Sequence, residues 1–152
     1  MSYQVAQINI GKLLAPIDDP KIAEFVAQLD SINALAESSP GFVWRLQSDG
    51  GNATDIPFND DPLVIVNMSV WQSTQALKEF VYRSKHLTVF RDRAKWFEKA
   101  TLPYYCLWWV REGHRPTVAE GRERIELYRK HGATPESFWF SEEFPAPDLA
   151  TV

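Results

Sequence analysis

Residues 62–97, PLVIVNMSVWQSTQALKEFVYRSKHLTVFRDRAKWF, carry the strongest signals for the fold of this chain. The alternation over 63–71 predicts a buried strand, and Ser73 is a suitable N-cap for a helix that follows directly. Beyond a break near Arg83, apolar residues continue at helical spacing as far as Phe97, which predicts a second helical stretch. We expect the rest of the chain to pack around this strand–helix unit.

Outside this unit, the sequence predicts three more strands, at 3–10, 42–47 and 104–111. A first helix is predicted after Asp19 and Pro20, because an N-cap followed by proline is a typical helix start. Near the end of the chain, the capping box at 117–120 predicts a third helix, which Gly132 ends. The segment 134–136 resembles one more short helical start.

The order β-α-β-β-α-β with an added C-terminal helix is typical of the ferredoxin-like α+β fold, an antiparallel sheet with helices on one face. A length of 152 residues suits one domain covering 1–152. The tail from about residue 145 is expected to be frayed.

The two faces of the predicted sheet differ in composition. One face of the third strand is uniformly apolar and consists of Val64, Val66, Met68 and Val70. We expect the helices to cover this apolar face. The opposite face, which we call the mixed face, combines apolar side chains with amides and hydroxyls: Tyr3, Val5, Gln7, Asn9, Leu63, Ile65, Asn67, Ser69 and Trp71.

Left bare, the mixed face would form an apolar patch larger than soluble monomers usually tolerate. We therefore expect a second copy of the chain to cover it, giving a homodimer whose sheets face each other. The polar groups of the mixed face would then line a partly enclosed cavity for a small-molecule ligand.

Composition excludes several classes of protein. A formal net charge of −4 argues against nucleic acid as the main partner, because phosphate binding relies on clustered Lys and Arg. Cys106 is the only cysteine, so no intrachain disulfide forms, and it is expected to be a small core residue in a reducing compartment. The N-terminus lacks the features of a signal peptide, and the longest apolar run, 104–110, is far short of a bilayer span. A cytoplasmic protein without membrane contact is expected.

No Ser-His-Asp order, phosphate loop or HExxH metal motif is present. His86 is the candidate catalytic residue, because imidazole titrates near neutral pH; the alternative is a structural histidine on the helix surface. Candidate substrate-binding residues are Asn9, Asn67, Trp71 and Phe90. The amides need partners that a ligand supplies, whereas for Trp71 a packed ring at the end of the sheet is the more usual role for a buried aromatic.

Two further side chains of the stretch, Arg91 and Arg93, are expected to be solvated helix charges.

The element order, the strand that ends in Trp71, Ser73 and the downstream His86 resemble the dimeric α/β-barrel superfamily. This superfamily includes antibiotic biosynthesis monooxygenases and haem-degrading monooxygenases. Residues 107–140, LWWVREGHRPTVAEGRERIELYRKHGATPESFWF, resemble more closely a bacterial family known as domain of unknown function 3291. The resemblance implies a dimer with a pocket beside each sheet.

In haem-degrading relatives, an Asn on the first strand, a Trp on the third and a helix His form the site, to which Asn9, Trp71 and His86 would correspond. Phe80, however, stands near the place where a histidine is common, and His86 lies several residues later. The resemblance therefore does not favour haem, and no cofactor is expected.

Two classes of function remain open. One is a cofactor-independent monooxygenase-like enzyme, in which an aromatic or polycyclic substrate is deprotonated and reacts with O₂ itself. The protein would supply an apolar pocket and a base or amides that stabilise the anion. The other is a ligand-binding or structural dimer without turnover.

Overall fold

The computed structural model describes residues 2–48, 53–84 and 91–147. A four-stranded antiparallel sheet with the strand order β2-β3-β1-β4 forms its centre. Two helices lie on one face of this sheet and a third helix lies on the other. The elements are β1 (Tyr3–Lys12), α1 (Ala23–Ser38), β2 (Phe42–Arg45), β3 (Val64–Trp71), α2 (Thr74–Ser84), β4 (Tyr105–Arg111) and α3 (Val118–His131).

This order of strands and helices is the ferredoxin-like α+β fold, so the fold predicted from the sequence is confirmed. The predicted strands agree with the observed ones except at their ends: β1 continues to Lys12, and β2 already ends at Arg45. The predicted helical start at 134–136 is wrong. Thr134 and Ser137 form an isolated antiparallel bridge there, with hydrogen bonds in both directions.

Three side-chain caps explain where helical structure begins. Asp19 accepts a hydrogen bond from the Lys21 amide ahead of a short 3₁₀ helix, Pro20–Ile22, that leads into α1. Ser73 caps α2 and Thr117 caps α3 in the same way, through the amides of Ala76 and Glu120.

The predicted capping box at the start of α3 is only half formed. The Thr117 hydroxyl accepts from the Glu120 amide. The Glu120 carboxylate instead accepts from Trp108 Nε1 at 2.8 Å and contacts His114 Nε2 at 2.7 Å. This carboxylate therefore ties α3 to β4.

The apolar face of the sheet is covered by α3, and the expectation that it would carry α1 and α2 is wrong. Ile8, Met68 and Trp108 form one buried cluster with Ile125 of α3 and with Phe58. The helix backbone approaches so closely that a Cβ atom on Gly121 would lie 2.6 Å from Ile8 Cδ1. A face without polar groups suits this dry contact.

The mixed face carries α1 and α2. Ala36 of α1 and Leu77 of α2 are buried in a cluster with Val5, Trp71 and Leu107. The reason for placing a second copy on this face is therefore wrong, because helices of the same chain cover it. Uniform apolarity predicts that a face is covered, but it does not predict which of the three described helices covers it. The homodimer itself stays a prediction.

The β1–β3 register places the amides where the alternation predicts. Asn9 lies opposite Asn67, Gln7 opposite Ser69, and Val5 opposite Trp71, without a bulge between them. All of these residues belong to the mixed face. Separately, every helix within the described ranges is too short or too polar to cross a membrane.

Cys106 is fully buried in the cluster beneath α3, as the sequence predicts, and burial raises the pKa of its thiol to about 12. Because the thiolate is the reactive form, the native protein should not react with Ellman's reagent at pH 8. The same sample unfolded in guanidinium chloride should release one equivalent of the chromophore. Rapid reaction of the native protein would contradict this packing of β4.

Candidate functional site

A cavity of about 420 Å³ lies between the mixed face and the two helices α1 and α2. Its volume is within the range of small-molecule sites. The walls are mostly apolar and include Phe25, Leu29, Ile32, Leu77, Phe80 and Phe97. The sheet contributes the polar floor.

A chain of side-chain hydrogen bonds forms this floor. Gln7 Nε2 donates to Asn67 Oδ1 at 2.7 Å and to Ser69 Oγ at 2.8 Å. Asn9 Nδ2 donates to Gln7 Oε1 and to Asn67 Oδ1, each at 3.1 Å. We call these four residues, Gln7, Asn9, Asn67 and Ser69, the polar ladder; it joins β1 to β3 across the cavity floor.

The polar ladder keeps unused hydrogen-bonding capacity at its cavity side. Asn67 Oδ1 accepts twice, but within the described residues its Nδ2 makes no hydrogen bond, and neither does Asn9 Oδ1. Ser69 Oγ accepts two hydrogen bonds, so its own hydrogen remains available as a donor. A ligand bearing both an acceptor and a donor would be complementary to this floor.

Trp71 supports the floor from behind and does not line the cavity. Its side chain is fully buried, and its Nε1 donates to Ser69 Oγ at 2.8 Å. Its ring stacks on Phe80 with centroids 5.0 Å apart, and Phe42 packs against it edge-on at 5.5 Å. Phe80 thus occupies the space between Trp71 and the cavity. The substrate-binding role predicted for Trp71 stays a prediction, and any influence on a ligand would pass through Ser69 and Phe80.

Arg45 lies at the β2 side of the cavity with only 8% of its surface exposed. Its Nε and Nη2 donate to Glu37 Oε1 of α1, each at 3.3 Å. Its Nη1 is buried and, among the residues that the structure describes, has no hydrogen-bond partner. A buried donor without a partner is costly, so a ligand acceptor here would be favourable.

Arg93 lies near the other end of the cavity, where β1 reaches Gly11. Its guanidinium lies over the rings of Phe97 and Tyr104, 4.5 Å and 4.8 Å from their centroids. The side chain is half-buried, and this burial lowers the pKa of Arg93, opposed by its interaction with Tyr104. The prediction that Arg93 is a solvated helix charge is therefore wrong.

Asn9 and Asn67 are predicted from the sequence to bind a ligand, and the structure brings them together on the cavity floor. His86 and Phe90 lie outside the described residues, and their roles stay predictions. Arg45 is not among the residues predicted for the site. The signal that could have indicated it is an arginine among apolar residues in a predicted strand, since arginine is rarely buried without a partner.

The described lining of the cavity carries charge of one sign only, which is positive. Its charged residues are Arg45 and Arg93, and it contains no Asp, Glu, His, Lys or Cys. Within the described ranges, no three His, Cys, Asp or Glu side chains lie close enough together to hold a metal ion. This arrangement can bind and orient a ligand, and it stabilises negative charge.

Three solved structures are similar in shape to this chain. A protein of unknown function from Nitrosomonas europaea is 9% identical, with a TM-score of 0.48, over 76% of this chain and 94% of that one. SnoaB, a cofactor-independent oxygenase from Streptomyces nogalater, is 18% identical, with a TM-score of 0.43, over 76% and 97%. Rv0793 from Mycobacterium tuberculosis is 14% identical, with a TM-score of 0.41, over 75% and 99%.

At identities this low, the likeness says nothing about the chemistry of this chain. No protein with a curated description matches the chain. A family model does match, over residues 4–152, which is nearly the whole sequence. This chain belongs to the family described as Domain of unknown function (DUF3291).

Proposed function

We propose that the protein binds a flat, largely apolar small molecule bearing an ionisable hydroxyl or carboxyl group in the cavity between the mixed face and helices α1 and α2. The observation that carries the proposal is the combination of apolar walls with unused hydrogen-bonding groups on the floor. Sites for small molecules typically have this composition, with a few convergent polar groups that fix orientation.

The size and shape of the walls support a flat ligand. Phe25 and Phe97 meet edge to face, with ring centroids 5.0 Å apart, and Phe80, which stacks on Trp71, also lines the cavity. Aromatic walls of this kind favour planar ligands, because the wall side chains are already fixed and lose little freedom when they contact a flat ring. The floor then meets the polar edge of the ligand.

Binding is better supported than turnover. The described lining residues supply donors and positive charge but no group that accepts a proton near neutral pH. A cofactor-independent oxygenase needs such a base to form the substrate anion, and His86 is the candidate that the sequence offers for it. The enzyme is therefore the second proposal, and it depends on His86.

Filling the cavity should abolish binding. N-phenyl-1-naphthylamine, a neutral flat fluorophore, should bind the wild-type protein with enhanced emission. Leu29→Trp, on the cavity wall, should weaken this binding at least about tenfold, since the larger ring occupies the space of the probe. Val26→Trp, one turn earlier on the same helix and outside the cavity, is the matched control and should bind normally. Equal binding by both variants would show that the probe binds elsewhere.

Removing the free amide of the floor should affect ligands more than folding. Asn67→Ala removes an acceptor of Gln7 Nε2, but Asn67 is exposed, so water can take the place of its Oδ1. The free energy of unfolding should therefore change by less than about 1 kcal/mol. Gln7 is buried and holds two partners, so Gln7→Leu should cost about 1–3 kcal/mol. Urea denaturation measures both. Asn67→Ala should also weaken the binding of a hydroxyl-bearing naphthalene. Unchanged binding would show that the polar ladder does not contact the ligand.

Oxygen uptake separates binding from catalysis. A quinol-like ligand at about one hundred times its dissociation constant should stabilise the protein by about 2.7 kcal/mol, which raises the melting temperature by several degrees. We expect this shift without O₂ consumption in an oxygen-electrode assay. Uptake of O₂ that rises with pH and disappears in His86→Ala would instead establish the oxygenase.

We also propose, separately, that the protein is a homodimer, with an interface other than the mixed face. Multi-angle light scattering at micromolar concentration should give twice the mass of one chain. A measured mass equal to that of one chain would rule out the homodimer, and the proposal about the cavity would be unaffected.

A further inference from the structure

The cavity carries positive charge that the described part of the protein does not neutralise. Of its two lining arginines, Arg45 is already paired with Glu37. Arg93 has no ion pair with any residue that the structure describes, and its contacts are with two aromatic rings. Its charge is thus the one that a ligand can neutralise.

The absence of a side chain at Gly11 leaves space for Arg93 against β1. A Cβ atom on Gly11 would lie 2.6 Å from Phe97 Cδ1 and 3.0 Å from Arg93 Nη2. Only glycine therefore lets the guanidinium and the Phe97 ring lie directly on β1. A long cationic side chain that is held against the sheet in this way has already lost much of its conformational freedom, which lowers the entropic cost of binding a ligand.

The Arg93 guanidinium makes no hydrogen bond with any described residue, so its N–H donors have no partner there. A planar guanidinium presents these donors along its edge. A carboxylate meets such an edge with two parallel hydrogen bonds. A phenol, with a pKa near 10, would remain uncharged at neutral pH and would gain only one hydrogen bond.

We propose that Arg93 is the anion-binding residue of the cavity and that the ligands are aromatic carboxylates, bound with the acid group at the Gly11 end of β1. This inference rests on the proposed binding function and names the ligand class. The ring system would lie towards Leu77 and Phe80, on the apolar wall.

The polar ladder lies within reach of the same acid group. Gly11 follows Asn9 by two residues and lies opposite Ile65, which precedes Asn67 by two. Two residues of strand span roughly 7 Å, a distance that one carboxylate and one arginine side chain can bridge. Asn67 Nδ2, which has no partner among the described residues, is thus placed to donate to the acid group that Arg93 holds.

The test compares 2-naphthoate with 2-naphthamide, two probes of the same shape that differ in charge. Each displaces N-phenyl-1-naphthylamine from the cavity, and displacement gives its affinity. The wild-type protein should bind 2-naphthoate about tenfold more tightly than 2-naphthamide, as expected for a charge-assisted pair. Arg93→Gln should reduce this ratio to below about twofold and leave 2-naphthamide unchanged.

Arg111→Gln is the matched control. It removes one positive charge at the exposed end of β4, away from the cavity, and should keep the tenfold ratio. If Arg93→Gln fails to fold, Arg93→Lys keeps the charge without the fork of donors, and should weaken 2-naphthoate several-fold while 2-naphthamide binds as before.

The outcomes separate the two proposals. If N-phenyl-1-naphthylamine itself does not bind, the proposed function fails. If it binds but both naphthalene probes compete equally, or if Arg111→Gln lowers the ratio as much as Arg93→Gln, the cavity remains a binding site and the role of Arg93 is overturned.

Discussion

The buried amide of Gln7 is the constraint on which the site depends. Its side chain is only 7% exposed, lies at the centre of the mixed face, and donates both of its hydrogens to residues of the neighbouring strand. A buried amide is stable only when its groups are paired, so the side chains opposite it must be polar as well. Ser69 and Asn67 meet this need, and Ser69 in turn accepts from the indole of Trp71.

This polar centre determines how the helices can pack. Helices α1 and α2 contact the sheet at its apolar ends, where Leu77 packs near Trp71 and Phe25 packs near Phe97. Between these ends they cannot close onto the ladder without burying its free groups unpaired. The cavity is therefore a consequence of the sequence of β1 and β3. The opposite face has no such groups, and α3 approaches it at Gly121 with no room for a side chain.

The sequence predicts some of this arrangement because strands repeat every two residues. Alternation alone places Asn9 and Asn67 on one face, and the continuous β1–β3 register brings them opposite each other. Which helices cover that face depends on the path of the chain between elements, and apolarity does not encode it. The same holds for Arg93, because helical spacing does not predict its contact with Tyr104, which lies just before β4. Arg45 also pairs across elements, with Glu37 of α1.

The two arginines of the cavity differ in how their positive charge is stabilised. Arg45 is the more buried, and Glu37 offsets its charge, so it contributes mainly a hydrogen-bond donor. Arg93 is partly desolvated, which disfavours its charged form. Its contacts with the rings of Phe97 and Tyr104 offset this cost only in part. A ligand anion would recover part of this energy, because electrostatic attraction is stronger beside apolar walls than in bulk water. The same field would hold an ionised ligand in its charged form. On the proposed assignment, the cavity would select for acids through Arg93, while its apolar walls would select for rings.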